Sequence, residues 1–357
     1  MFGNIGKLLE SITLNKRDYR IILVSNVRGK TTNFIDYSGV SVTSEFLTPN
    51  QYELIVGTLK ESGFDVFGYF DENLFLEDCI EQNYFRDTGK QVIVISMAQK
   101  GTAIGRKSLI PAFCDLNGLW HTNSNAYVVS LTRDKFHCDS ILKANALPTA
   151  NSYLYLPNSG WFLGQKPNLG EQVIAKLNGE ASSIGMSKDN IFLYENKHDD
   201  FIDKLSKTYR QPVVVQTFIK GYEVEVPVVT KGNISEVVLP VGIAISNQKY
   251  LGDSILDYDS RLNSNYCFYN FQEFDSDMSN KLNICAKHVI KLFGIDGFGR
   301  VDFRIDRDGN YYITDVATNP RLAKSTSFCY AYEINGFTFK DMIETLIAVT
   351  ILRYERR

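Results

Sequence analysis

Four separated segments place charged and hydroxyl side chains where they could handle phosphate, a divalent cation and a carboxylate. Val173–Ile174–Ala175–Lys176 reads as a strand ending in lysine, followed by the small, hydroxyl-rich loop Gly179–Glu180–Ala181–Ser182–Ser183–Ile184–Gly185. Such a loop can fold over phosphates with its backbone N–H groups while the lysine adds one fixed positive charge. A solvated hairpin with a surface lysine would have the same composition. Val213–Val214–Val215–Gln216–Thr217–Phe218–Ile219–Lys220–Gly221–Tyr222–Glu223 is an apolar strand, a polar hinge and a second strand bearing a carboxylate. The hinge backbone could read an adenine edge and Glu223 could accept ribose hydroxyls; a bulge at Gly221 is the simpler reading.

The third segment, Gly299–Arg300–Val301–Asp302–Phe303–Arg304, turns at Arg307–Asp308–Gly309–Asn310 and returns through Tyr311–Asp315. Arg300, Asp302 and Arg304 share a face because side chains alternate along a strand. If Asp315 lies opposite Asp302, two hard oxygen ligands face each other, which suits Mg²⁺ once phosphates complete its shell. A surface hairpin laced with salt bridges is the alternative. In the fourth, Thr318–Asn319–Pro320–Arg321–Leu322 with Lys324–Ser325–Thr326, Asn319 offers a neutral oxygen and the Arg, Lys and hydroxyl cluster could hold a carboxylate.

The elements that must position these groups alternate. Arg20–Ser25, Phe64–Tyr69 and Gln91–Met97 are short apolar runs, with helical periodicity over Asn50–Ser62 ending at Gly63. Strands separated by helices predict a doubly wound α/β sheet. A helix is expected over Ser130–Asn145. Strands follow at Gln172–Lys176 and Val213–Phe218 with a charged helix at Asp199–Tyr209 between them, then long strands at Tyr222–Val229, Glu236–Ile245, Gly299–Ile305 and Tyr311–Val316. Helices are expected at Ser279–Leu292 and Phe339–Leu352. Three modules result, over about 1–130, 131–215 and 216–357.

Composition narrows the class. The chain's 357 residues suit two or three domains. With 38 Lys+Arg against 41 Asp+Glu there is no basic field to gather nucleic acid or a membrane surface. No apolar run approaches the roughly 20 residues of a membrane span, and the start does not read as a signal peptide. Six scattered cysteines without a CxxC pair suggest free thiols and a cytoplasmic setting. Four histidines lack zinc-site spacing, so the chemistry rests on carboxylates, lysines and arginines. Gly101–Ser108 (GTAIGRKS) imitates a Walker loop, but its second glycine is one place early and Pro111 interrupts the following helix. A glycine-bearing strand-to-helix turn with substrate or phosphate contacts, or an ordinary loop, fits better.

Taken in order, these segments resemble the ATP-grasp superfamily, in its D-alanine–D-alanine ligase branch, over roughly Trp120 to Leu346. His121–Lys135 (HTNSNAYVVSLTRDK) is similar to the entry to the central domain, where the resemblance implies that Lys135 contacts ATP phosphates. IAKLNGEASSIG resembles the strand lysine and phosphate loop, implying Lys176, Glu180, Ser182 and Ser183. VVVQTFIKGYEVEV looks like the adenine hinge, Gln216 to Ile219 (including Thr217 and Phe218), with Glu223 on the ribose. Leu256–Arg261 (LDYDSR) resembles the mobile loop and puts Arg261 near the γ-phosphate. GRVDF supplies Arg300 and the metal ligand Asp302.

The departures matter as much. Asp315 stands where the family usually has glutamate; Ala317 occupies the place of its asparagine, for which Asn319 is the candidate replacement. The H-G-x-x-G-E-D signature is replaced by Lys100–Lys107, and the early G-x-S-x-E loop is absent around Val24–Ser38. D-alanine is therefore not assumed as substrate. The resemblance implies an ADP-forming carboxylate–amine ligase acting on amino acids or peptides, with ATP and Mg²⁺ (Mn²⁺ as alternative) held by Asp302, Asp315 and Asn319. Arg300, Lys176, Arg261 and Ser183 are the expected catalytic groups, Arg106, Lys107, Arg321, Lys324 and Ser325 the candidates for substrate. A homodimer is usual in that branch. An ATP-grasp phosphotransferase and a regulatory ATP-binding protein are the alternatives.

Overall fold

Residues Ile21 to Val24 are fully buried on both sides of their strand, and that sets the first layer. The computed structural model describes residues 3–13, 16–81, 89–231, 234–256 and 265–355. Strands β1 (Tyr19–Ser25), β2 (Asp65–Tyr69), β3 (Gln91–Met97) and β4 (Trp120–His121) form a sheet of order β2-β1-β3-β4 in which each pairing is parallel. Alternate residues of β1 go to different cores. Ile21 and Leu23 join a cluster with Ile55, Leu59 and the C-terminal helix Phe339–Tyr354, while Ile22 and Val24 pack with Phe75, Ile110 and Cys114. Both faces being covered explains the unbroken apolar run.

A second sheet, all antiparallel, has the order β6-β5-β9-β7-β8: β5 (Ser152–Leu156), β6 (Gly160–Trp161), β7 (Gln172–Leu177), β8 (Ile191–Leu193) and β9 (Val213–Thr217). The helix His198–Tyr209 covers it through Ile202, Leu205 and Tyr209. The third sheet, also antiparallel, runs β13-β12-β10-β14-β15 with β11 on β10: β10 (Tyr222–Lys231), β11 (Ile234–Val237), β12 (Val241–Ile245), β13 (Tyr266–Asn270), β14 (Gly297–Ile305) and β15 (Tyr311–Thr318). The helix Ser276–Phe293 packs on it through Leu282, Ala286 and Val289.

Two expected elements are divided. The helix expected over Ser130–Asn145 is two helices, Ala126–Arg133 and Lys135–Ala144, because Asp134 is extended and its carboxylate accepts the His137 N–H to cap the second. The strand expected over Glu236–Ile245 is β11 and β12; Pro240 stands between them and cannot donate to a ladder. At the hinge, a Cβ on Gly221 would lie 1.8 Å from the Ile305 carbonyl oxygen, so only glycine lets β9 turn into β10 there. Strand β9 continues to Thr217, two residues past the module boundary expected near 215.

Candidate active site

Where the sheets meet there is a cavity of about 480 Å³, within the range of small-molecule sites. Its most ordered wall comes from strand register. Glu225 of β10 pairs with Asp302 of β14, and Asp302 pairs with Asp315 of β15, so three carboxylates form one row across adjacent strands. A bulge at Thr314 creates this alignment: Phe303 pairs with Ile313 while Asp302 pairs with Asp315. Arg300 Nε and Nη2 donate to the two Asp302 oxygens at 2.7 and 2.8 Å, and Arg300 also lies 3.3 Å from Glu225. Ser327 Oγ donates to Glu225. Burial, together with Glu225 and Asp315, pushes the Asp302 carboxyl above its ordinary range, against the pull of Arg300.

That crowding tests the fit of a cation. Among the described residues no group of three or more His, Cys, Asp or Glu is disposed to hold a metal by itself. Mg²⁺ commonly takes only one or two carboxylates and draws its other ligands from phosphate and water. Asp302 and Asp315, opposed and under mutual repulsion, suit that mode. Asn319 lines the same cavity in a left-handed backbone conformation (φ 51°).

The second sheet supplies the roof. Strand β7 runs one residue past the lysine expected to end it, to Leu177; Lys176 lines the cavity, where burial lowers its pKa, Lys135 and Arg304 lower it further, and Asp315 and Asp139 oppose the fall. Lys135 donates to the Glu180 carbonyl. Ser182 and Ser183 are successive left-handed residues (φ 55° and 57°), and Ser183 Oγ donates to the Leu256 carbonyl at 2.9 Å. Gln216, Thr217, Phe218 and Ile219 line the cavity beside them. Gln216 Nε2 donates to Asp139, which also accepts from Ser152 at 2.5 Å. Burial raises Asp139 to about 6. Glu223 is paired with Arg304 at 3.0 Å.

The first 125 residues form the remaining wall, and here placements are less expected. Arg106 is buried: its guanidinium reaches Glu180 at 2.7 and 3.0 Å and Glu45 at 3.3 Å, so it is committed within the chain and does not line the cavity. Arg133 joins the same carboxylates at 3.0 Å (Glu45) and 3.4 Å (Glu180). Tyr37 donates to Glu180 at 2.5 Å, and Gln211 donates to Tyr37 at 2.8 Å. Burial opposes ionisation of both glutamates, yet the arginines, joined at Glu45 by Lys107, hold them below their usual range. Lys107 faces the cavity beside this network. Arg321 lines the cavity and donates to the Phe46 carbonyl at 2.6 Å and to Gln51 at 2.8 Å; Ser325 lines it too, whereas Lys324 is exposed outside it. Arg261 lies outside the described residues.

Lys135, Lys176, Gln216, Glu223, Arg300, Asp302, Asp315 and Asn319 thus share one cavity. Sequence reasoning passed over Glu45, Arg133, Asp139 and Glu225. Only Glu225 carried a signal, its two-residue spacing from Glu223 on a strand. The other three take their meaning from partners brought together by tertiary structure.

Three sheets closing on such a cavity, with a lysine strand and a doubled serine loop over an acidic hairpin, define the ATP-grasp fold. A family described as D-ala D-ala ligase C-terminus matches residues 142–348, and the chain belongs to it. The D-alanine--D-alanine ligase of Carboxydothermus hydrogenoformans is 28% identical over 251 residues, covering 68% of this chain and 77% of that protein. The D-alanine--D-alanine ligase of Pseudomonas fluorescens is 23% identical over 300 residues, 83% of this chain and 85% of its own length. Among solved structures, the D-alanine--D-alanine ligase of Bacillus anthracis complexed with ATP superposes with a TM-score of 0.67 at 16% identity, covering 95% of this chain and 99% of that one. The VanG D-Ala:D-Ser ligase of Enterococcus faecalis gives 0.66 at 15% identity, covering 94% of this chain and 100% of that one.

Proposed function

We propose that this protein is an ATP-dependent carboxylate–amine ligase that joins small amino-acid-like substrates and releases ADP and phosphate. The observation that carries the reading is the register that sets Asp302 opposite Asp315 beneath Lys176 and the serine loop. Its family membership and the names of its relatives support the same reaction class.

The reaction needs positioning and charge neutralisation more than covalent help from the protein. A substrate carboxylate oxygen attacks the γ-phosphorus as its bond to the β-phosphate oxygen breaks, giving an acyl phosphate and ADP. The amine then adds to the acyl carbon, loses a proton, and phosphate leaves. A magnesium ion, when bound, supplies Lewis-acid neutralisation of phosphate charge. In the chain itself, Asp302 and Asp315, with Asn319, would hold that ion, and Lys135 and Lys176 would face the phosphates; Arg261 is assigned there by resemblance. Gln216 to Ile219 would receive the base and Glu223 the ribose. Arg300, anchored by Asp302 and Glu225, is aimed to stabilise the oxyanion as the amine adds; losing such a contact costs roughly 3–4 kcal/mol. The loop around Ser182 and Ser183 would exclude water from the acyl phosphate. We further take the three sheets as three modules divided near residues 130 and 215. The consumption of ATP and six cysteines without disulfides support a cytoplasmic site of action.

Incubation with ATP, Mg²⁺ and pooled amino acids and dipeptides tests this. The expected result is ADP and free phosphate whose release depends on an amine, with a new amide in the mass spectrum. ADP without free phosphate would make the protein a phosphotransferase, and AMP would contradict the scheme.

A further inference from the structure

The wall of the cavity contributed by the first 125 residues has a surplus of positive charge. Glu45 is the carboxylate these residues place in the cavity lining, and Arg106 and Arg133 already occupy it. Glu180, reaching the same network from the second sheet, is held by the same two arginines. Two carboxylates against two guanidiniums cancel. Lys107 is a third cation in this group, facing the cavity, and no ion pair joins its amine to a described carboxylate. Arg28 lines the same cavity and donates to the Thr43 and Ser44 carbonyls, both at 2.9 Å. Both partners are neutral, and no ion pair joins Arg28 to a carboxylate among the described residues.

This group meets the phosphate-side lysines at Glu180, whose carbonyl accepts from Lys135, yet Lys107 and Lys176 feel different charges. The charges that act on Lys107 are Arg133, Glu45, Arg106 and Glu180, whereas those acting on Lys176 are Asp315, Lys135, Asp139 and Arg304. An ammonium placed on the first wall would meet cations and a glutamate already shared between two guanidiniums. An anion would meet Lys107 and Arg28.

We infer that the acid substrate carries a second anionic group, a carboxylate or phosphate besides the carboxyl that is activated, and that Lys107 with Arg28 receives it. This rests on the ligase reading and narrows its substrate class away from simple zwitterionic amino acids. One property of Lys107 supports it: burial, then Arg133 and Arg106, bring its amine down to about 7 against the pull of Glu45 and Glu180. An incoming anion reverses that balance and keeps the proton on the amine.

The test uses matched acid donors differing by one charge: glutamate against glutamine, aspartate against asparagine, and O-phosphoserine against serine, in both enantiomers with a shared pool of amines. Amine-dependent ADP release should favour a charged member by roughly tenfold or more, the scale of one charged hydrogen bond. A preference for O-phosphoserine alone identifies phosphate, and for glutamate or aspartate carboxylate. Lys107→Met should erase the ratio and Lys107→Arg retain most of it. Calorimetry of the preferred donor, or of glutarate if none turns over, with ADP and Mg²⁺ at pH 8 in buffers of different ionisation enthalpy should show proton uptake that Lys107→Met loses. If no donor supports ADP release the ligase reading fails, while glutarate binding with proton uptake still upholds the anion site. Equal use of charged and neutral donors, a ratio unchanged in Lys107→Met, or a loss of ATP affinity common to every donor would each overturn the inference.

Discussion

On the wall built by β10, β14 and β15, register gathers Glu225, Asp302 and Asp315, and burial together with that crowding makes Asp302 hold its proton more tightly than an ordinary aspartate. On the wall from the first 125 residues, Glu45 is pressed the other way: against its burial it is held ionised by Arg133, Lys107 and Arg106. Both groups are buried. The first is an unresolved repulsion that a cation would relieve; in the second the carboxylates are already matched by guanidiniums, and Lys107 beside them is the charge left over. Charge left unsatisfied within the fold marks where binding free energy remains available, and charge already paired marks where the fold is being held.

The largest expected effect breaks the first wall. Asp302→Asn should cut turnover by roughly 10³-fold or more while far-UV circular dichroism stays that of the parent; unchanged turnover would remove Asp302 from the metal site. Arg106→Met tests the second wall: it leaves Glu45 and Glu180 sharing Arg133 in a buried setting and should destabilise the fold by about 3 kcal/mol or more in urea. A neutral result would show that the network is not structural. Asp139→Asn probes the buried carboxyl that accepts from Gln216 and Ser152. The folded-state pKa of Asp139, about 6, lies above its ordinary value, so the folded chain keeps a proton there that the unfolded chain releases. Stability from this group therefore falls as pH rises from about 4 to 6, by at most about 1.4 kcal/mol per pH unit. Thermal melts across that window should be flatter for the variant, and identical slopes would refute the assignment. The smallest effect is Asp134→Ala, which removes the cap of the helix Lys135–Ala144 and should cost about 1 kcal/mol by chemical denaturation.

Periodicity displayed the parallel sheet, the lysine strand and the acidic hairpin because each is local. Whether Asp315 faced Asp302 depended on a bulge at Thr314 that no residue type announces. The break at Asp134 was hidden because Arg133, Asp134 and Lys135 look like one charged helical turn; its cause is partly remote, the Asn178 amide donating to Asp134 at 2.9 Å. Glu45 was illegible for the same reason, with partners 61 and 88 positions away. Arg106 and Lys107, adjacent in sequence, part company in the fold: one is enclosed among carboxylates, the other faces the cavity.

The Glu45–Arg106–Arg133–Glu180 network also bears on dissecting the chain. The family match begins at residue 142, after Glu45, Arg106 and Arg133 but before Glu180. A fragment cut to that match would carry Glu180 with both of its guanidinium partners deleted, together with the Gln211 and Gly179 surfaces that frame it. Such a piece would hold the nucleotide-side segments from Lys176 onward but not Lys135, and would carry a carboxylate stripped of its charged partners at a newly opened face. For expression or crystallisation, the boundary drawn by similarity is a poor place to cut.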